Sequence, residues 1–194
     1  RDLASLDPAA IQEESQIAWP RIRDADELHD ALLSLGILPE NVTLAKAHDI
    51  NSQDISRWFN DLMKAGRAFR LGEQGVDPIW VATERLAMYG AAFPGFQLGA
   101  QLPISLKPNI ELAQDEAILY LIRGWSESLG PFTVEELAKT LGLSLSDVNI
   151  ALAQMEYEGV VLRGRFRPGA EQEEFCDRRI LARIHRSTIS GLRR

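Results

Sequence analysis

At 194 residues and 45% hydrophobic content, the chain suits one large or two small globular domains. Its single cysteine, Cys176, excludes an internal disulfide and a cysteine zinc cluster and suits a reducing, cytoplasmic setting, while no apolar run approaches membrane length and no signal peptide is visible. The net charge of −7 argues against a generally cationic surface, yet residues 163–194 hold nine arginines against four acids, leaving −12 on residues 1–162.

Taken in order, residues 1–23 hold a helix from Pro8 to Ala18, closed by Trp19-Pro20, and a connector. Asp24 caps a second helix, with Glu27 three residues on to complete a capping box. Leu28, Ala31, Leu32 and Leu35 are its apolar stripe, and Gly36 ends it. Val42 to His48 carries no clear periodicity. Ser52 starts a strong helix with Ile55, Phe59, Leu62 and Met63 on one face and Gly66 as its stop. Ala68–Leu71 and Ile79–Ala82 are short strands joined by a turn-rich loop, and Thr83 to Ala92 returns to helix. Phe93 to Asn109, with three prolines and two glycines, is the linker candidate. Asp115 to Leu129 is helical, with Ile118, Leu121, Ile122 and Trp125 on one side.

From Phe132 to Phe166 the order is helix, tight turn, longer helix and strand, which is the order of a winged helix. Thr133 caps the first of these helices, with Glu136 placed to close the box, and Ser144 caps the second. Val134, Leu137, Ala138 and Leu141 face one way on the first, and Val148, Ala151, Leu152 and Met155 on the second. After Gly159 the β-formers Val160, Val161 and Leu162 lead into Arg163, Arg165 and Arg167, which period two places on one strand face. The plan is duplicated: Gly66 and Gly159 lie 93 residues apart, each four residues before an arginine, with Glu84-Arg85 and Asp177-Arg178 following in step. The expected fold is mainly α with small β-hairpins (α+β), built as tandem winged-helix modules over 24–106 and 107–194.

The stretch Glu173-Glu174-Phe175-Cys176-Asp177-Arg178-Arg179-Ile180-Leu181-Ala182-Arg183-Ile184-His185-Arg186 resembles a signature of the Lhr (large helicase-related) helicases of superfamily 2. Ala18-Trp19-Pro20 with Arg23 to Leu32, and Gly130-Pro131 through Leu162-Arg163-Gly164-Arg165-Phe166, are similar to segments upstream of it in the same proteins. The resemblance implies RecA-like motor domains followed by winged helices and a β-barrel, with ATP and Mg2+ driving 3′–5′ translocation on DNA. The chain has neither a G-x-x-x-x-G-K-[S/T] loop nor a D-E-x-H box, so it is expected to be a post-motor region with no cofactor of its own. A start at Arg1-Asp2 and an end at Arg193-Arg194 inside a helix suit a piece of a longer protein.

On the C-terminal helix, Ile180, Leu181, Ile184, Thr188 and Leu192 share one face, and Arg179, Arg183, Arg186, Arg193 and Arg194 the other. Arginine forks suit phosphate oxygens. The expected nucleic-acid contacts are therefore Arg163, Arg165, Arg167, Arg179, Arg183 and Arg186, against the alternative that these arginines pair with the chain's own acids. No catalytic or metal-binding constellation is present: His29, His48 and His185 are scattered, and Asp26 stands one helical turn from His29. Tandem winged helices also resemble a class of DNA glycosylases, but Gln97 and Gln101 are four apart rather than Gln-x-Gln, and Asp177 has Arg178 beside it as an ion-pair partner. Of the tryptophans, Trp58 and Trp125 lie on apolar faces and should be core. The function expected is a grip on single-stranded or forked DNA alongside the other domains of a parent helicase in DNA repair. The rivals are a stand-alone regulator reading duplex DNA and a docking or oligomerisation module.

Overall fold

The computed structural model describes residues 5–47, 50–96 and 112–192. It is mainly helical with two small antiparallel sheets, and the chain divides into two compact units, residues 21–121 and residues 1–20 with 122–194. The linker expected over Phe93–Asn109, with its boundary at 106/107, lies outside the described residues from position 97 on. In chain order the first helix, α1, is Pro8–Ala18, with Pro8 at its first turn and Asp7 as its cap.

In the unit of residues 21–121, α2 (Ala25–Leu35) is capped by Asp24, whose Oδ1 accepts from the Glu27 amide at 2.8 Å. Glu27 reaches one residue further back than a capping box requires, accepting from the Arg23 amide and guanidinium. A two-residue strand, β1 (Leu38–Pro39), forms where the sequence carries no strand signal, and a short helix, α3 (Glu40–Ala45), reaches into the Val42–His48 stretch that shows no clear periodicity. Both are too short to show a pattern, and Pro39, with no amide to donate, fits the sheet edge. Then come α4 (Ser52–Lys64), β2 (Ala68–Leu71) and β3 (Ile79–Ala82). A 3-10 turn over Thr83–Arg85 leads into α5 (Leu86–Ala92). The strand order is β1-β3-β2, with Leu38 opposite Trp80 and Arg70 opposite Trp80 on its other side. The core gathers Leu28, Leu32, Leu35, Phe59, Leu62 and Trp80, the last stacked on Phe59 at 4.0 Å. Trp58 is only half-buried; Trp80, one strand away, takes the central place expected of it.

α6 (Gln114–Ser126) belongs to this unit through Leu121 and to the other from Ile122. The second unit continues with α7 (Val134–Leu141), α8 (Leu145–Tyr157), β4 (Val161–Gly164), β5 (Glu174–Asp177) and α9 (Arg178–Leu192). Thr133 and Ser144 cap as expected, and all eight stripe residues of α7 and α8 are buried. Phe132 exchanges both backbone hydrogen bonds with Phe175, at 2.9 and 2.8 Å, and so borders β5 on the side away from β4. α1 packs on α9: Leu6, Ala10 and Ile11 share a core with Cys176, Ile180, Leu181 and Ile184.

The two units share one local plan. The amides of Ala65, Gly66 and Arg67 return to Asp61, Met63 and Leu62; those of Glu158, Gly159 and Val160 return to Gln154, Glu156 and Met155. All six distances lie between 2.9 and 3.0 Å, and the partners are 93 residues apart throughout. Gly66 and Gly159 both adopt positive φ, 70° and 75°, which the reversal out of the helix requires. Beyond the hairpins, Thr83 donates to Arg67 and Arg178 to Val160, each at 3.0 Å. Each plan therefore runs helix, edge pairing, helix, helix, hairpin, helix, with the edge pairing added to the hairpin's second strand.

Candidate nucleic-acid interface

The six arginines expected to meet phosphates do not form one free ridge. Arg163 lies in β4, but β4 ends at Gly164, so Arg165 and Arg167 sit in the connecting loop and strand alternation does not reach them. The loop leaves the sheet early because Glu174 pulls it inward. That carboxylate, 1% exposed, accepts from the Phe166 and Arg167 amides at 2.7 and 2.9 Å and from the Arg167 guanidinium. Arg167 also bridges to Glu136 on α7, at 2.6 and 3.2 Å. Glu136 thus spends its side chain on Arg167, while its amide serves the Thr133 cap. Hydrogen bonding to Glu136, and then to Glu174, pushes the Arg167 pKa up. Arg167 is a strut between helix and hairpin.

Arg163 is paired as well. Its guanidinium meets Glu156 at 2.9 Å and Glu173 at 3.0 Å and lies 4.9 Å from the centre of the Phe175 ring. Arg183 turns toward α1, where its Nε donates to Glu14 at 3.2 Å and Ser187 Oγ donates to the same carboxylate at 3.1 Å. Arg179 is well exposed and keeps only a long contact, 3.8 Å, to Glu127. Arg165 and Arg186 are exposed and make no ion pair among the described residues. Arg178, left out of the expected set, is exposed too and carries no ion pair among the described residues.

Its expected partner Asp177 is buried and used otherwise, with Oδ1 accepting from the Arg179 and Ile180 amides at 2.8 and 3.2 Å as the cap of α9. The signal for Arg178 was the helical spacing itself, since Arg178, Ala182, His185 and Ile189 line the exposed side of α9. Leu192, expected on the buried stripe, is 76% exposed because α1 does not extend that far along α9.

The other described candidates are engaged within the fold. His29 is buried and its Nε2 meets Glu84 at 2.9 Å, while Asp26, one helical turn from His29 in sequence, pairs with Arg67 at 2.8 Å. Burial pushes the Cys176 thiol up to about 12, which makes it an inert apolar group. Gln97, Gln101, His48, Arg193 and Arg194 lie outside the described residues.

No protein-family model matches the chain. Among curated proteins it is similar to a protein of Mycolicibacterium smegmatis described as "Lhr helicase/ probable uracil glycosylase", with 27% identity over 193 residues. The match covers 97% of this chain and 12% of that relative, so the chain spans about one-eighth of the relative's length. The similarity runs over nearly the whole chain and falls on one region of that protein.

Proposed function

We propose that the chain is a nucleic-acid-binding region of an Lhr-type ATP-dependent 3′–5′ DNA helicase, two winged helices in tandem that grip single-stranded or forked DNA behind the motor during repair. ATP and Mg2+ belong to the motor, and the partners are DNA and the other domains of the same cytoplasmic protein. The observation that carries the reading is the repeated plan, in which each unit presents a helix pair and a hairpin in winged-helix order. The exposed arginines on and beside α9 supply a phosphate-binding surface on a chain that is otherwise acidic. The test is titration of labelled single-stranded and forked DNA with the chain across a salt series. Binding that weakens steeply with salt is expected. Absence of DNA affinity at low salt, both in this chain and in its longer parent, overturns the reading.

A docking module is the second reading, favoured by the outward face of α8. Ile150 is 64% and Tyr157 93% exposed, with Ala153 between them. Absence of DNA affinity combined with capture of another domain of the parent would select it.

A further inference from the structure

The outward face of α8 ends on Tyr157, which at 93% is the most exposed large apolar side chain among the described residues. Ile150 and Ala153 precede it at steps of three and four, so the three stand on one side of the helix. The Tyr157 ring makes no hydrogen bond and no ring contact among the described residues. The internal repeat shows that the fold itself does not require an aromatic there. At the matched position of α4, 93 residues earlier, stands Lys64.

Arg178 reaches the same end of α8. Its amide donates to the Val160 carbonyl at 3.0 Å, and its guanidinium lies 3.7 Å from the place a Cβ would take on Gly159, two residues beyond Tyr157. The arginine matched to it in the repeat, Arg85, is consumed inside its own unit. There the Arg85 Nε donates to the Leu33 carbonyl at 3.0 Å, and its guanidinium stands 5.1 Å from the centre of the Tyr120 ring. Arg178 has no such engagement among the described residues. The acids flanking Tyr157 are already taken, Glu156 by Arg163 and Glu158 by Arg123. One end of α8 therefore presents a bare aromatic face together with an uncompensated cation.

An aromatic face accepts any base by stacking, and a cation beside it accepts the phosphate, the combination that holds unpaired strands without sequence preference. In a duplex the base faces are covered by one another, and a ring on a helix surface has no access to them. A protein partner suits the same end less well. A stable interface buries about 800 Å² on each partner over about 20–30 residues. The outward face of α8 offers Ile150, Ala153 and Tyr157, ringed by Ser146, Asn149 and Gln154. We infer that Tyr157 is the stacking platform for one unpaired base of single-stranded DNA, with Arg178 on the adjoining phosphate. This rests on the DNA-binding reading above and assigns its single-strand contact to the C-terminal end of α8.

The test measures, by anisotropy, the affinity of the full chain for a labelled single strand of DNA and for the same strand with abasic residues in place of its bases. Tyr157→Ala should weaken binding of the base-bearing strand about tenfold and leave the abasic strand unaffected. The slope of log affinity against log salt should not change, since stacking releases no counterion. Tyr157→Phe keeps the ring and should bind like the unsubstituted chain. Arg178→Gln should weaken both strands alike and flatten the slope by about 0.7. Tyr157 is exposed, so its variants should fold, and circular dichroism checks this. A Tyr157→Ala chain that binds the base-bearing strand as tightly as the unsubstituted one overturns the inference. Equal loss on both strands does the same, as does a Tyr157→Phe chain as weak as the alanine variant. An alanine variant that keeps its DNA affinity but loses capture of another domain of the parent overturns it too, and gives the face to docking. No affinity for either strand at low salt, in the chain and in its longer parent, overturns the proposed function with it.

Discussion

Glu40 shows how one carboxylate can hold a sheet. It accepts both prongs of Arg70, at 2.9 and 3.0 Å, and the indole N–H of Trp80 at 3.1 Å, tying α3 to β2 and β3. The hydrogen bond from Arg70 first, and that from Trp80 after it, lower the Glu40 pKa despite partial burial. A carboxylate whose folded pKa lies below its unfolded value adds stability above the unfolded pKa. That contribution disappears as pH falls through the lowered folded value. Urea unfolding followed by tryptophan fluorescence should therefore show an acid-limb loss of stability that Glu40→Gln reduces. An unchanged acid limb in the variant would show that Glu40 does not carry it. Leu152 is a simpler case: fully buried in α8, it should cost roughly 2–5 kcal/mol when cut to alanine, measured by the urea midpoint. Ile150, two residues away and exposed, should cost within about 0.5 kcal/mol when made polar.

Elements were legible where a cap, a stripe and a stop agreed. Asp24, Thr133 and Ser144 cap as their side-chain chemistry demands, and the glycines after α4 and α8 end them. The strands at Ala68–Leu71 and Ile79–Ala82 match their expected bounds because β-formers there are flanked by turn residues. What stayed hidden depended on contacts distant in sequence. β1 exists through its pairing with β3, and the early end of β4 depends on Glu174, ten residues on. The pairing of Arg183 is hidden for the same reason: helical spacing puts Arg183 beside Arg179, but only the packing of α1 on α9 reveals Glu14 as its partner. The repeat itself yields a prediction at this scale. Gly66→Ala and Gly159→Ala should each cost about 1–2 kcal/mol, because positive φ penalises any Cβ. An added Cβ meets nothing within 4 Å at Gly66 and only the Arg178 guanidinium, at 3.7 Å, at Gly159, so the two costs should match. Unequal unfolding midpoint shifts would mean that the two turns are not energetically equivalent.

Over the whole molecule, charge is divided between arginines already spent and arginines still available. The formal +5 of residues 163–194 overstates the basic surface, since Arg163, Arg167 and Arg183 have carboxylate partners within the same unit. Releasing such a partner to meet a phosphate exchanges one ion pair for another and gains little. Arg165, Arg178 and Arg186 require no such exchange. Each phosphate contact on a single strand contributes about −0.7 to the slope of log affinity against log salt. Replacing Arg165, Arg178 and Arg186 with glutamine should therefore flatten the slope by about two units while leaving the unfolding midpoint nearly unchanged. Replacing Arg163 and Arg167 should do the reverse. The slope should barely move, but stability should fall by about 1–3 kcal/mol, because Glu174 stays buried with its guanidinium partner removed. Arg179, whose contact to Glu127 is long and exposed, should behave as an available cation. Both quantities come from the same proteins, by anisotropy across a salt series and by urea unfolding. If the paired arginines carry the salt slope and the unpaired ones do not, DNA must displace the carboxylates on binding, and the hairpin strut becomes part of the DNA path.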